Sequence, residues 1–145
     1  MAATIYFSGA ITGGREDVGL YRRIIDALEA AGHRVLAGAV GAEHVGRNGE
    51  SLDAAAIFLR DLAWVAESDV LVAEVSKPSL GVGYEIAAAR YRYGVPVICL
   101  FRPAHVPRCS AMIAGDPDIT TLFYRDDDVE EMVGRLLRLL PQSRE

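Results

Sequence analysis

Three side chains in this sequence carry chemistry that their immediate surroundings do not call for: Tyr6, Asp61 and Glu85. Tyr6 stands inside the apolar run Thr4–Phe7, where it is either a core aromatic with its hydroxyl satisfied or a donor aimed at a second group. Asp61 interrupts a stretch that is apolar almost all round, with Ile57 and Phe58 one turn before it and Trp64 and Val65 one turn after. It reads as a solvated residue on a narrow polar stripe or as a carboxylate turned inward; Arg60, beside it, is expected to point elsewhere, because adjacent helical residues do not face each other. Glu85 ends the segment Ser76-Lys-Pro-Ser-Leu-Gly-Val-Gly-Tyr-Glu85, which runs into a helix placed from about Gly83 to Tyr93. In the first turn of that helix a carboxylate is favourable with the dipole, which would keep it ionised. A Tyr, an Asp and a Glu brought together from three elements suit glycosidic-bond chemistry. One carboxylate attacks or stabilises an oxocarbenium-like carbon while another group manages protons.

Two loops are suited to holding an anion. Ser8-Gly-Ala-Ile-Thr-Gly-Gly-Arg15 follows the first apolar run, and its backbone N–H groups, at Gly9 and Ile11 among others, are free of bulky neighbours and lead into a helix N-terminus. It lacks the Gly-Lys-[Ser/Thr] ending of a P-loop and the spacing of a dinucleotide fingerprint, so a plain strand-to-helix turn explains it equally well. In the later loop Ser79, Gly81 and Gly83 offer a hydroxyl and backbone donors to a phosphate. His33, His44 and His105 have no metal-ligand spacing, no Gly-x-Ser-x-Gly elbow is present, and Asp126-Asp-Asp128 reads as a solvated N-cap region.

These residues need a scaffold, and short apolar runs alternating with helical periodicity describe one: a parallel sheet covered by helices on both faces. Strands are expected at Thr4–Phe7, Arg34–Leu36, Asp69–Val75, Pro96–Phe101 and Ile119–Tyr124. Helices are expected at about 16–31, 52–67, 83–93 and 129–140, with a helical turn at 110–114. The fold class is α/β, a single domain over residues 1–145 with five parallel strands in the order 2-1-3-4-5. In such a sheet ligands bind at the carboxyl ends of the strands, beside the switch between strands 1 and 3. The aperiodic glycine-bearing segment Gly38–Gly49 reads as a lid. The helix at 52–67 carries more apolar surface than one core stripe needs, which points to a subunit interface.

Composition narrows the partners. The 145 residues are 51% hydrophobic and 24% charged with a net charge of −5, so no global positive field attracts a nucleic-acid polymer. No apolar run approaches the ~18–20 residues of a membrane span, and the N-terminus has no signal-peptide pattern, so the expected location is cytoplasmic. Cys99 and Cys109 read as reduced thiols.

Taken together, Tyr6-Phe-Ser-Gly9 with Gly13-Gly-Arg-Glu-Asp17, Asp61-Leu-Ala-Trp64, Val72-Ala-Glu-Val75, Pro78-Ser-Leu-Gly-Val-Gly-Tyr-Glu85, Cys99-Leu-Phe-Arg-Pro103 and Ser110-Ala-Met-Ile113 resemble the 2′-deoxynucleoside 5′-monophosphate N-glycosidases, relatives of the nucleoside 2-deoxyribosyltransferases. The resemblance covers nearly the whole chain. It implies that Glu85 is the nucleophile at C1′, that Asp61 assists departure of the base and that Tyr6 holds Glu85. It further implies that Ser79, Gly81 and Gly83 bind the 5′-phosphate and that Ser110 reaches that phosphate from the neighbouring subunit of a homodimer. Ala10 and Thr12 stand where the family pattern has Ser and Arg, which removes a hydroxyl and a cation near the ligand. No cofactor is implied. The rival readings are a deoxyribosyltransferase, a ribonucleotide-cleaving relative and a non-catalytic nucleotide-binding module.

Overall fold

The computed structural model describes residues 2–11, 17–38, 40, 52–104 and 108–143. Apart from Gly38 and Val40, the expected lid lies outside the described residues, as does Thr12 with the Gly13-Gly-Arg segment. Strands β1 (Thr4–Gly9), β2 (Arg34–Leu36), β3 (Val70–Glu74), β4 (Val97–Phe101) and β5 (Ile119–Phe123) form one sheet in the order β2-β1-β3-β4-β5. Every pairing is parallel, with Gly9 opposite Glu74 where β1 and β3 end together. Helices α1 (Val18–Ala30), α2 (Ala54–Glu67), α3 (Leu80–Ala88), α4 (Ala111–Ala114) and α5 (Val129–Leu139) connect and cover the strands. The expected α/β architecture and strand order are those observed.

Period-two alternation divides the sheet into two faces. Ile5 and Phe7 of β1, Val70 and Val72 of β3, and Ile98 and Leu100 of β4 pack with Ile24 and Leu28 of α1 and Met132 and Leu136 of α5. Tyr6, Leu71, Ala73, Val97 and Cys99 point the other way, onto Val65 of α2 and Val82 and Ile86 of α3. Both faces are covered, which is why β3 and β4 are buried throughout and read as unbroken apolar runs.

The structure corrects two local expectations, the start of α3 and the turn before α5. Helix α3 starts at Leu80, three residues before the expected point, because the Ser79 side chain accepts a hydrogen bond from the Val82 N–H and caps it. It continues as a π-helical segment, Ala89–Tyr93, and stops at Gly94, whose φ of 63° is the left-handed geometry that glycine adopts without a Cβ penalty. Before α5, Asp126–Asp128 form a 3-10 turn with no side-chain cap on the helix; Asp126 instead accepts from Arg102.

Candidate active site

The site is built where β1 faces α2 and α3. Tyr6 and Ser8 are two residues apart on β1, so both project from the α2/α3 face. The Tyr6 hydroxyl donates to Oε2 of Glu85 at 2.7 Å, and the Ser8 hydroxyl donates to Oε1 at 2.7 Å. Each carboxylate oxygen is thereby held by its own strand donor, which leaves the group little freedom to rotate. Asp61 of α2 lies close enough for its charge to act on both Tyr6 and Glu85, so the three expected side chains share one neighbourhood. Ser8 is the member that reading the loop as an anion cradle misses, although its spacing from Tyr6 on a strand was the available signal.

Burial sets the electrostatics. It raises the Glu85 carboxyl to about 7; the hydrogen bonds from Tyr6 and Ser8 pull it down and the negative charge of Asp61 pushes it up further. The expectation that the helix N-terminus keeps Glu85 ionised is therefore corrected. Since α3 begins at Leu80, Glu85 sits in the second turn, where the dipole has faded and desolvation governs. Burial, followed by the charges of Glu85 and Asp61, drives the Tyr6 phenol far above its ordinary range, so Tyr6 acts as a fixed donor.

Asp61 has a partner that the sequence reading ruled out. Arg60 Nε donates to Asp61 Oδ1 at 2.8 Å, and its guanidinium lies 4.8 Å from the centre of the Trp64 ring. The rule against neighbouring contacts describes Cβ directions; the long Arg60 side chain, laid back along Trp64, escapes it. The Asp61 side chain is 14% exposed, so it is turned inward and not solvated.

The expected anion loops are more mixed. Gly9 is buried at the end of β1, and its missing side chain makes room for Tyr21, since a Cβ there would lie 2.8 Å from the ring. Ile11 packs its side chain against the α1/α5 core. Gly83 spends its N–H on the Ser79 carbonyl at 3.1 Å. The Gly81 amide, second in α3, has no intrahelical carbonyl within reach. Ser79 and Ser110 both line a groove of about 1160 Å³ along the α3 face that bears Val82, Ile86 and Arg90, whereas Tyr6, Asp61 and Glu85 do not line it. Of α2, only Leu62 and Val65 are buried, and the exposed Phe58 meets the exposed Tyr84 of α3 edge-on, so the surplus apolar face of α2 is uncovered within one chain. Among the described residues, no three His, Cys, Asp or Glu side chains gather as metal ligands, and no helix is long and apolar enough to cross a membrane.

Fold and candidate site together describe a doubly wound α/β domain with a buried carboxylate, Glu85, held against β1. Residues 5–114 match the family model described as nucleoside 2-deoxyribosyltransferase. The chain belongs to that family. The 5-hydroxymethyl-dUMP N-hydrolase of Mus musculus is 43% identical over 146 residues, covering 97% of this chain and 83% of the relative. The protein of the same name from Danio rerio is 40% identical over 143 residues, covering 96% and 99%. Among solved structures, a 2-deoxyribosyltransferase of Bacillus psychrosaccharolyticus superposes with a TM-score of 0.65 at 21% identity, covering 88% of this chain and 90% of the other; that likeness is one of fold.

Proposed function

We propose that this protein is an N-glycosidase that hydrolyses a 2′-deoxynucleoside 5′-monophosphate to free base and 2-deoxyribose 5-phosphate. The observation that carries the reading is the Glu85 carboxylate, buried and held oxygen by oxygen by Tyr6 and Ser8 with Asp61 beside it. In its ionised form Glu85 attacks C1′; the C1′–O bond forms as the C1′–N bond breaks, and Asp61 assists the departing base. Water then attacks C1′ as the Glu85 carboxylate leaves; the proton that the water loses passes by way of Asp61 to the freed base, where it replaces the C1′–N bond, and the sugar is released. Tyr6 and Ser8 keep the two oxygens oriented through both steps. The relatives named as 5-hydroxymethyl-dUMP N-hydrolases support the substrate class, since their substrate is itself a deoxynucleoside monophosphate.

We put the phosphate at the start of α3, where Ser79, the Gly81 amide and the dipole offer an anion site. We assign Ser110 to the phosphate of a partner subunit, as the family resemblance implies; within its own chain it lines the same groove as Ser79. The uncovered apolar residues of α2 and α3 are the surface such a homodimer would bury. Incubating a panel of deoxy- and ribonucleoside monophosphates and separating the products by liquid chromatography tests the reading, with base release from deoxynucleotides expected. Absence of base release from all of them would reject it. The family match favours a second reading, in which another base and not water resolves the intermediate. Repeating the assay with added free base distinguishes them, because a transferase forms a new nucleotide.

A further inference from the structure

Alternation along β3 sends Glu74 to the face opposite the proposed site, together with Val70 and Val72, and it is fully buried there. None of the chemistry proposed above uses it. Its oxygens accept from the Ser76 N–H at 2.8 Å, the Ser76 hydroxyl at 3.0 Å, Arg102 Nε at 3.1 Å and the Tyr124 hydroxyl. Arg102, 3% exposed, directs its remaining prongs outward: Nη1 to Asp126 at 2.9 Å and Nη2 to Asp17 at 2.6 Å. Its backbone N–H donates to the Ser76 hydroxyl at 2.9 Å. One guanidinium therefore ties the end of β3, the loop after it, the end of β4, the residue that opens α1 and the turn before α5.

Stability alone is a weak reason for such a cluster, because buried ion networks are often replaceable by apolar residues at no loss. A planar fork with fixed donor directions does what apolar packing cannot: it sets the angles at which several chain segments meet. Ser76 lies three residues before Ser79, the cap of α3, whereas Tyr6 and Ser8 hold Glu85 from the other face of the sheet. Moving Arg102 therefore shifts the loop that enters α3 at Ser79, whereas Glu85, six residues further along, stays pinned to β1 by Tyr6 and Ser8.

We propose that Arg102, through Glu74 and Ser76, is the positioning residue for phosphate recognition in this enzyme. The proposal rests on the placement of the phosphate at the start of α3. The test compares wild type with Arg102→Lys, which keeps the charge and loses the fork, and with Ser76→Ala and Tyr124→Phe, each of which removes one hydroxyl. For each protein, kcat and KM are measured on a deoxynucleoside monophosphate and on the matching deoxynucleoside. In Arg102→Lys and Ser76→Ala the nucleotide KM should rise about tenfold, with kcat within about twofold of wild type and kcat/KM for the nucleoside unchanged. Tyr124→Phe should move in the same direction by less. Equal losses on both substrates with KM unchanged, the signature of a smaller folded fraction, would overturn the positioning role. So would a nucleotide KM that stays put in all three variants. If Arg102→Lys does not fold, the two single-hydroxyl variants decide. A wild-type enzyme with no preference for the nucleotide removes the phosphate placement itself, and this proposal with it. A wild-type preference that the variants retain removes the proposal alone.

Discussion

At the scale of single residues, Glu85 must be ionised to attack, and burial raises its carboxyl to about 7. The kcat/KM of the enzyme should therefore rise with pH through that region. Ser8 donates to the charged form and so lowers the titration; Ser8→Ala should move the rising limb to higher pH. Comparing the two profiles on one substrate cancels the ionisation of the substrate phosphate. Glu85→Gln keeps the size of the side chain and loses the nucleophile, and a fall of about three orders of magnitude or more in kcat is expected. The same substitution makes a thermodynamic prediction. Below the ordinary carboxyl value of 4.5, Glu85 is neutral in both folded and unfolded chains and costs nothing. As pH rises from there to about 7 the unfolded chain ionises first, and the folded state loses stability until the buried group ionises as well. The stability of Glu85→Gln relative to wild type should therefore increase between pH 5 and pH 8, as read from urea midpoints at each pH.

At the scale of elements, the start of α3 and the end of β1 are the points where local structure and site meet. Ser79 caps α3 through its bond from the Val82 N–H at 3.3 Å. Ser79→Ala should cost about 1 kcal/mol, lowering Tm by about 3 °C in scanning calorimetry, and should raise the nucleotide KM by removing a phosphate donor. At the end of β1 the packing is tighter. A Cβ on Gly9 would sit 2.8 Å from Cζ of the buried Tyr21, a ring held against Phe7 at 5.8 Å between centroids. Gly9→Ala should destabilise by about 1–3 kcal/mol, measurable by urea unfolding.

At the scale of the whole molecule, exposed apolar residues include Leu59 of α2, Leu80 of α3 and Met112 of α4, the last helix beginning just after Ser110. If Ser110 completes the partner's phosphate site, mixing Glu85→Ala chains with Ser110→Ala chains produces heterodimers. One site in each then carries both defects and the other carries neither. Activity after subunit exchange should exceed the sum of the two homodimers, with exchange followed by tag pulldown. Confirmed exchange without a rise in activity would mean that Ser110 acts within its own chain or not at all.

Much of the architecture was legible in the chain. Hydrophobic period alone distinguishes strands buried on both faces from amphipathic helices, and alternating the two leaves few topologies open to a parallel sheet. Tyr6 and Asp61 stood out because a polar group in an apolar stretch is costly unless something compensates it, and Glu85 because it follows a Ser- and Gly-bearing loop near a helix start. What the sequence could not supply was the identity of each partner. That Ser8 shares Glu85 with Tyr6, that Arg60 folds back onto Asp61, and that Glu74 is buried against Arg102 and Tyr124 all depend on distances between segments far apart in the chain or on the path of a long side chain. The protonation of Glu85 was misread for a related reason. A local rule places a carboxylate near a helix start and predicts a charge, whereas the tertiary fold removes the water around it, and desolvation outweighs a dipole that has faded by the second turn. Periodicity is a property of neighbours along the chain and survives in the sequence; solvation is a property of neighbours in space and arises only when the sheet and helices close over the site.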